Sequence, residues 1–344
     1  LYEDLGQDYP VGFVRWTEQR NFEAVLDMFA TGSIDPAPLI SHRFPLTHAQ
    51  DAYKVVGGAE SSLGIVLEYP SPTQRTDQTM RERVVHIGDA AKSPPAVAGQ
   101  AVIGFIGSGN YASQVLIPAF RQTSAVLQAV ASATGVTGVH AAKKFAVAQA
   151  TTDTEGLIAD LEINAVVITT RHNSHAKFIC QALAAGKHVF VEKPLALTRE
   201  EMNQIEETYQ AAASEGSVPV LMVGFNRRFS PHVKKIRQLL DGVREPKSFV
   251  MTVNAGEIPP DHWTQDRAVG GGRIIGEGCH FVDLLRFLAD APIVSTQAVM
   301  MGQADGVLVR DDKVTVTMTF EDGSFGTLHY LSNGHKGFPK ERLE

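Results

Sequence analysis

Short apolar runs alternate with helix-periodic stretches from about residue 101 onward. Val102-Ile106, Leu127-Ala131, Ala165-Thr169, His188-Val191 and Val218-Val223 each have the length and composition of a buried strand. That rhythm predicts a doubly wound parallel sheet of α/β class. Pro118 falls inside the first helix of the series and is expected to kink or shorten it. After Gly224 the period changes. Ser248-Val253, Thr296-Met301, Lys313-Phe320 and Ser324-Leu331 read as longer strands, clearest where Val314, Val316, Met318 and Phe320 alternate with Thr315, Thr317 and Thr319. Asp322-Gly323 marks a hairpin between the last two. A helix from His280 to Leu288 would pack through Phe281, Leu284, Leu285 and Leu288. The expectation here is an α+β domain with a largely antiparallel sheet.

The front of the chain reads as a small α/β unit. Phe22, Val25, Leu26 and Phe29 have helical spacing, and Leu39 to Pro45 is extended. Thr47 offers an N-cap to a second helix that ends at Gly57-Gly58, and Gly64 to Tyr69 forms a strand. Polar, proline-bearing residues follow, with one short strand expected at Arg83 to Ile87. The boundaries expected are 1–72 for the front unit, 73–100 for a linker, 101–223 for the parallel-sheet domain and 224–344 for the last domain.

Composition narrows the class. The 344 residues are 44% hydrophobic and 20% charged, the balance of a soluble globular protein. No apolar run approaches the ~20 residues needed to cross a bilayer. A net charge of -7 argues against nucleic acid or an anionic membrane as partner, since both favour basic surfaces. Cys180 and Cys279 form no CxxC or metal-ligand pattern. His172 and His175 lie close together but lack a third ligand, so no metal site is expected. A reducing, cytoplasmic setting is expected, with no signal-peptide pattern at the acidic start Leu1-Tyr2-Glu3-Asp4. The chain opens without methionine and reads as an internal piece of something longer.

Val102-Ile106 runs directly into Gly107-Ser108-Gly109-Asn110-Tyr111-Ala112, a G-x-G-x-x-A turn between a strand and a helix. Gly107 permits the tight turn, and Gly109 lets backbone approach a pyrophosphate. Ala112 keeps helix and strand close, while Asn110 and Tyr111 open a helix whose N–H groups face the anion. The alternative is a purely structural glycine turn. The acid that usually holds the ribose of NAD is missing after the second strand, where Ser132-Ala133-Thr134 stand. Those small residues leave room for a 2′-phosphate, and Lys143 and Lys144 in the next helix could supply positive charge. The cofactor expected is NADP or NAD, with the balance toward NADP.

Gly186 to Val191 delivers Glu192-Lys193-Pro194 at its carboxyl end, the edge where open α/β sheets bind ligands. A partly desolvated lysine there can act as general acid or base. Alone, Lys193 reads as a surface ion pair with Glu192. Taken with Thr170-Arg171-His172-Asn173-Ser174-His175, Gly224-Phe225-Asn226-Arg227-Arg228-Phe229, and Gly270-Gly271-Gly272 leading to Gly278-Cys279-His280-Phe281-Val282-Asp283, the motif resembles the Gfo/Idh/MocA family of dehydrogenases. The resemblance runs from about Ala101 to the end. It implies a Rossmann domain followed by an open-faced, mainly antiparallel sheet, and hydride transfer to or from alcohols, often sugars or cyclitols.

The resemblance also implies roles. Lys193 corresponds to the proton-transferring lysine, and His280 to its partner in the substrate pocket. Ser132, Thr134, Thr170, His175, Glu192 and Lys193 join the glycine turn as cofactor contacts. Asn226 and Arg227 fall where substrate binds, with at most one of Arg227 and Arg228 reaching the pocket. His280 has a structural alternative as a core histidine, and His175 as a helix cap. Many members carry an aspartate four residues before the histidine; here Gly276 stands there. Its neighbour Glu277 lies near the same helical face as His280 and is expected to take over that carboxylate's role.

Residues 9–70 show a second resemblance. Tyr9-Pro10-Val11-Gly12, Arg15-Trp16-Thr17-Glu18-Gln19-Arg20-Asn21, Pro38 to Leu46 and Ala52-Tyr53 are similar to the C-terminal tail of zinc-type, medium-chain alcohol dehydrogenases. That family's zinc ligands and nucleotide fingerprint would lie upstream. The order resembles bi-domain oxidoreductases, and it implies covalent continuity with an upstream medium-chain module. The far end, Lys336 to Glu344, stops where the Gfo/Idh/MocA family has a further strand. The expected protein is an NAD(P)-dependent oxidoreductase acting on CH–OH groups of a sugar-like small molecule, and a homo-oligomer. The alternative is a dinucleotide-binding scaffold without turnover.

Overall fold

The computed structural model describes residues 6–71, 81–87, 99–214, 218–302, 304–307 and 309–344. The chain divides between Glu82 and Arg83 into two compact units. In the first, helix α1 (Glu18–Ala30) begins at Thr17, whose hydroxyl accepts the Arg20 N–H. Strand β1 (Ile40–Pro45), helix α2 (Ala49–Val56) and strand β2 (Gly64–Glu68) follow, and the two strands pair in parallel. Thr47 does not cap α2. It lies inside a 3-10 turn, Leu46–His48, which leaves His48 as the residue before the helix and no side chain in capping position. Among the described residues the unit buries only Thr17 and Ala52, while Phe22, Leu26, Tyr53 and Leu63 are exposed.

The second unit opens with strand β3 (Val84–His86), inside the stretch expected as linker. Strands β4 (Val102–Ile106), β5 (Val126–Ala131), β6 (Gln149–Thr151), β7 (Ala165–Ile168), β8 (His188–Val191) and β9 (Leu221–Val223) complete a seven-stranded sheet in the order β3-β6-β5-β4-β7-β8-β9. All pairs are parallel except β3 with β6. Strand β4 is buried along its whole length, as a central strand covered on both faces must be. Pro118 sits in the first turn of helix α3 (Ile117–Arg121), directly after a π-helical stretch, Ala112–Leu116. The proline offers no N–H to the Gln114 carbonyl and its ring needs space, which the wider turn provides. Four further helices lie between the strands or beside them: α4 (Val136–Phe145), α5 (Thr154–Ala159), α6 (His175–Ala184) and α7 (Arg199–Ser214).

Helix α8 (Pro231–Leu240) is N-capped by Ser230, and helix α9 (Cys279–Ala289) packs through Phe281, Leu284, Leu285 and Leu288. Strands β10 (Ser248–Asn254), β11 (Ile293–Met300), β12 (Lys313–Phe320), β13 (Phe325–Leu331) and β14 (Glu341–Leu343) form a sheet in the order β11-β12-β13-β10-β14. It is antiparallel apart from β10 with β13. Phe249, Met251 and Val253 point inward with Met318, Phe320, Leu328 and Tyr330, closing a core under α9. Val250, Val299 and Phe325 are exposed, so the other face of the sheet is open. The result is a Rossmann-type α/β domain followed by a mainly antiparallel domain. Among the described residues no helix is long and apolar enough to cross a membrane.

Candidate active site

A cleft of about 1160 Å³ runs along the carboxyl edge of the parallel sheet. Its floor is the turn after β4. Gly107 has φ +103, and a Cβ there would lie 2.9 Å from the backbone of Thr169, so only glycine lets the turn sit this close to the end of β7. A Cβ on Gly109 would meet no protein atom within 4 Å, so that position borders free space. Asn110, Tyr111 and Ala112 follow in the first helical turn, whose N–H groups have no intrahelical partner. This cradle fits a pyrophosphate.

Ser132, Ala133, Thr134 and Thr137 line the far end of the cleft. The Ser132 hydroxyl accepts the Gly138 N–H at 3.1 Å, and the Ser108 hydroxyl donates to Thr137 Oγ1 at 2.8 Å. Lys143 and Lys144 do not supply charge here. They occupy the last turn of α4, and the Lys144 ammonium lies over the Phe145 ring at 5.1 Å. The cleft residues from Ser132 to Thr137 include neither an acid nor a base.

At the other end, β8 delivers Glu192 and Lys193. The Lys193 ammonium donates to the Gly276 carbonyl at 2.6 Å. His280, in the first turn of α9, lines the same cleft, and its buried Nδ1 has no partner among the described residues. Burial, then the positive charges of Lys193 and Arg227, push the His280 imidazole down to about 3, so it is neutral at ordinary pH. Burial raises the Glu192 carboxyl against the opposing pull of Lys193. The Cys279 thiol is pushed up to about 11 by burial, which keeps it protonated and inert as a nucleophile.

Glu277 lines the cleft with Lys193 and His280, and its carboxylate is engaged by other partners. Its oxygens accept from Tyr330 Oη at 2.5 Å, Arg273 at 2.9 Å and Lys340 at 3.0 Å. Burial opposes its ionisation, but those three donors outweigh it and hold the carboxyl at about 2. It is a fixed charge tying the π-helical turn before α9, Ile274–Gly278, to β13 and the segment before β14. His175 also departs from expectation: it is fully buried, with Nδ1 at 2.7 Å from the Pro194 carbonyl and Nε2 at 3.2 Å from that of Thr170. It braces the Lys193 loop and is absent from the cleft lining. Thr170 does line the cleft, its hydroxyl accepting from Ser174 at 2.7 Å.

Asn226 donates to Tyr111 Oη at 3.2 Å, joining the second domain's first loop to the glycine turn. Arg227 lines the cleft and is held by Glu341 at 2.6 Å. Arg228 turns away and forks onto Asp283, with Nε at 2.6 Å from Oδ2. Cleft residues that lacked a sequence signal include Thr137, Thr169, Trp263, Lys340 and, as a pocket residue, His172. His172 was weighed in the sequence only as a metal ligand beside His175. Among the described residues no group of three or more His, Cys, Asp or Glu could hold a metal.

Residues 102–225 match the family model described as "Oxidoreductase family, NAD-binding Rossmann fold", and residues 234–344 match the GFO/IDH/MocA C-terminal domain. The myo-inositol 2-dehydrogenase of Thermotoga maritima is 27% identical over 206 residues, 59% of each chain. The levoglucosan dehydrogenase of Pseudarthrobacter phenanthrenivorans is 27% identical over 263 residues, 67% of this chain and 66% of the relative. A levoglucosan dehydrogenase structure in complex with NADH and levoglucosan superposes with TM-score 0.61 at 25% identity, covering 71% of this chain and 70% of that one. The chain spans about half to three fifths of the length of several curated relatives it matches.

Proposed function

Because the chain belongs to the Gfo/Idh/MocA oxidoreductase family over most of its length, we propose that it is an NAD(P)-dependent dehydrogenase or reductase of polyol or sugar-like substrates. The nicotinamide supplies the hydride acceptor or donor when bound. The chain's own residues do the rest. The glycine turn and the first N–H groups of the following helix hold the pyrophosphate, and Thr170 and Glu192 lie toward the reacting end. In the oxidative direction, the uncharged Lys193 amine takes the proton from the substrate hydroxyl as the C–H hydride leaves. In the reductive direction its ammonium returns a proton to the forming alkoxide. His280 stays neutral and hydrogen-bonds the same oxygen, while Asn226 and Arg227 contact the rest of the substrate.

The observation that carries this reading is the Lys193 ammonium, held on a backbone carbonyl inside the cleft that the glycine turn opens. The test is steady-state turnover with NAD and NADP over a polyol panel, together with Lys193→Met. Turnover by the wild type and none by a variant that still binds NADH supports the reading. Equal rates in both would sink it.

NAD fits the ribose end better than NADP, because neither Lys143 nor Lys144 reaches it. Residues 101–223 form the cofactor domain in this reading and 224–344 the substrate domain, whose open sheet face supports a homo-oligomer. Two free cysteines agree with a cytoplasmic setting. Residues 1–72 are read as the tail of a medium-chain dehydrogenase module continuing upstream; of the stretch 73–100 expected as linker, Val84–His86 is already a strand of the parallel-sheet domain. The apolar side chains that the front unit leaves exposed support the upstream continuation. An intact-mass measurement on the native gene product decides whether such a module precedes it.

A further inference from the structure

His172 is held in one tautomer by the fold. Its Nδ1 lies 2.8 Å from the Gly270 carbonyl, which can only accept, so Nδ1 carries the proton. Nε2 then presents a lone pair. It has no partner among the described residues and is not among the solvent-excluded unpartnered atoms. The ring lines both the large cleft and an adjoining cavity of about 310 Å³ that also touches Lys193, Trp263, Gly276 and His280. Trp263 meets the imidazole edge-on at 4.9 Å and fixes its plane. Burial above all keeps the ring uncharged, with the imidazole held down at about 4.

Gly276 makes this arrangement possible. A Cβ at that position would stand 3.0 Å from His172 Cε1 and 3.5 Å from Nδ1. Any side chain there displaces the ring or is displaced by it. The same residue's carbonyl receives the Lys193 ammonium. The space that a side chain at 276 would take is thus occupied by an imidazole from the other domain.

We propose that His172 is a substrate-binding residue: its Nε2 accepts a hydrogen bond from a hydroxyl of a polyol seated against Lys193, and Gly276 is the clearance that admits it. Arg227 is a donor only and Lys193 is committed to the reacting oxygen, so an acceptor beside them selects a substrate with a second hydroxyl next to the reacting one. This rests on the dehydrogenase reading above and names the part of the site that reads the neighbouring hydroxyl.

The test uses the full chain with Trp16→Phe, leaving Trp263 as the single indole. Myo-inositol, sorbitol and levoglucosan are titrated against its fluorescence, with and without NADH, and KM and kcat are measured for any that turn over. At least one polyol should give a saturable change. His172→Phe should weaken that binding or raise KM about tenfold with NADH affinity unchanged, and His172→Gln, which keeps an acceptor, should recover most of it. Gly276→Ala should act in the same direction as His172→Phe, and the double variant should be no worse than the worse single one. A polyol affinity in His172→Phe within twofold of wild type overturns the proposal. So does the absence of a saturable signal for all three polyols. The dehydrogenase reading fails separately, if polyols bind through His172 but no hydride is transferred to NAD or NADP.

Discussion

The Lys193 ammonium is anchored on the Gly276 carbonyl at 2.6 Å, a neutral acceptor. A carbonyl orients the ammonium without neutralising it. Lys193→Arg would retain the charge but give up a releasable proton. Turnover should fall about 10²- to 10⁴-fold while NADH binding, followed by nicotinamide fluorescence, stays within threefold.

Glu277 makes a stability prediction rather than a kinetic one. Its folded carboxyl lies near 2 against 4.5 for the free group, so its contribution is complete above about pH 4.5 and is lost as pH falls toward about 2. A carboxylate held that low contributes on the order of 3 kcal/mol at neutral pH. Glu277→Gln should lower the denaturation midpoint at pH 7, and the deficit should shrink toward pH 3. An unchanged midpoint at pH 7 would remove Glu277 from the ledger of stabilising charges.

His172 and His280 act earlier in an acid titration. Folded, they resist protonation down to about 4 and about 3, whereas in the unfolded chain they take up protons near 6.5. The unfolded state therefore binds more protons, and stability should fall as pH drops below about 6.5. Urea unfolding at pH 7.5 and 5.0 measures this. The pH slope should flatten in His172→Gln/His280→Gln.

Without a charged residue at the ribose end, NADH should bind at least as tightly as NADPH. Thr134→Arg places a cation beside the 2′ position and should shift the ratio toward NADPH about tenfold. Fluorescence titration with both nucleotides reads the ratio directly; a wild type that prefers NADPH would contradict the assignment.

Arg228 and Asp283 form a forked pair whose acid is buried. Arg228→Ala strands that carboxylate and should cost about 3–5 kcal/mol in chemical denaturation. Turnover per folded molecule should hold, since Arg228 points away from the cleft.

Strong periodicity made the large elements legible. Five of the six parallel strands of the first sheet and all four long strands of the second were marked by apolar runs or alternation, and the glycine turn stood in the strand–helix context that gives it meaning. Strand Gln149–Thr151 was not visible, because three residues, two of them polar, carry no period. Thr47 looked like a cap because the 3-10 turn that absorbs it has no sequence mark. In the site, residues inside the quoted motifs could be named, but which way each side chain faces could not. Glu277 shares a helical side with His280, yet Tyr330, Arg273 and Lys340 claim it from elsewhere in the chain. His175 and His172 lie in one motif and are both buried, and only packing against Pro194 and Gly270 decides which braces the Lys193 loop and which meets the cleft.

Lys340 and Glu341 precede or open the edge strand β14, and they clamp Glu277 and Arg227 respectively. The wall of the cleft opposite the nucleotide cradle is thus restrained from far along the chain, across 63 positions to Glu277 and 114 to Arg227.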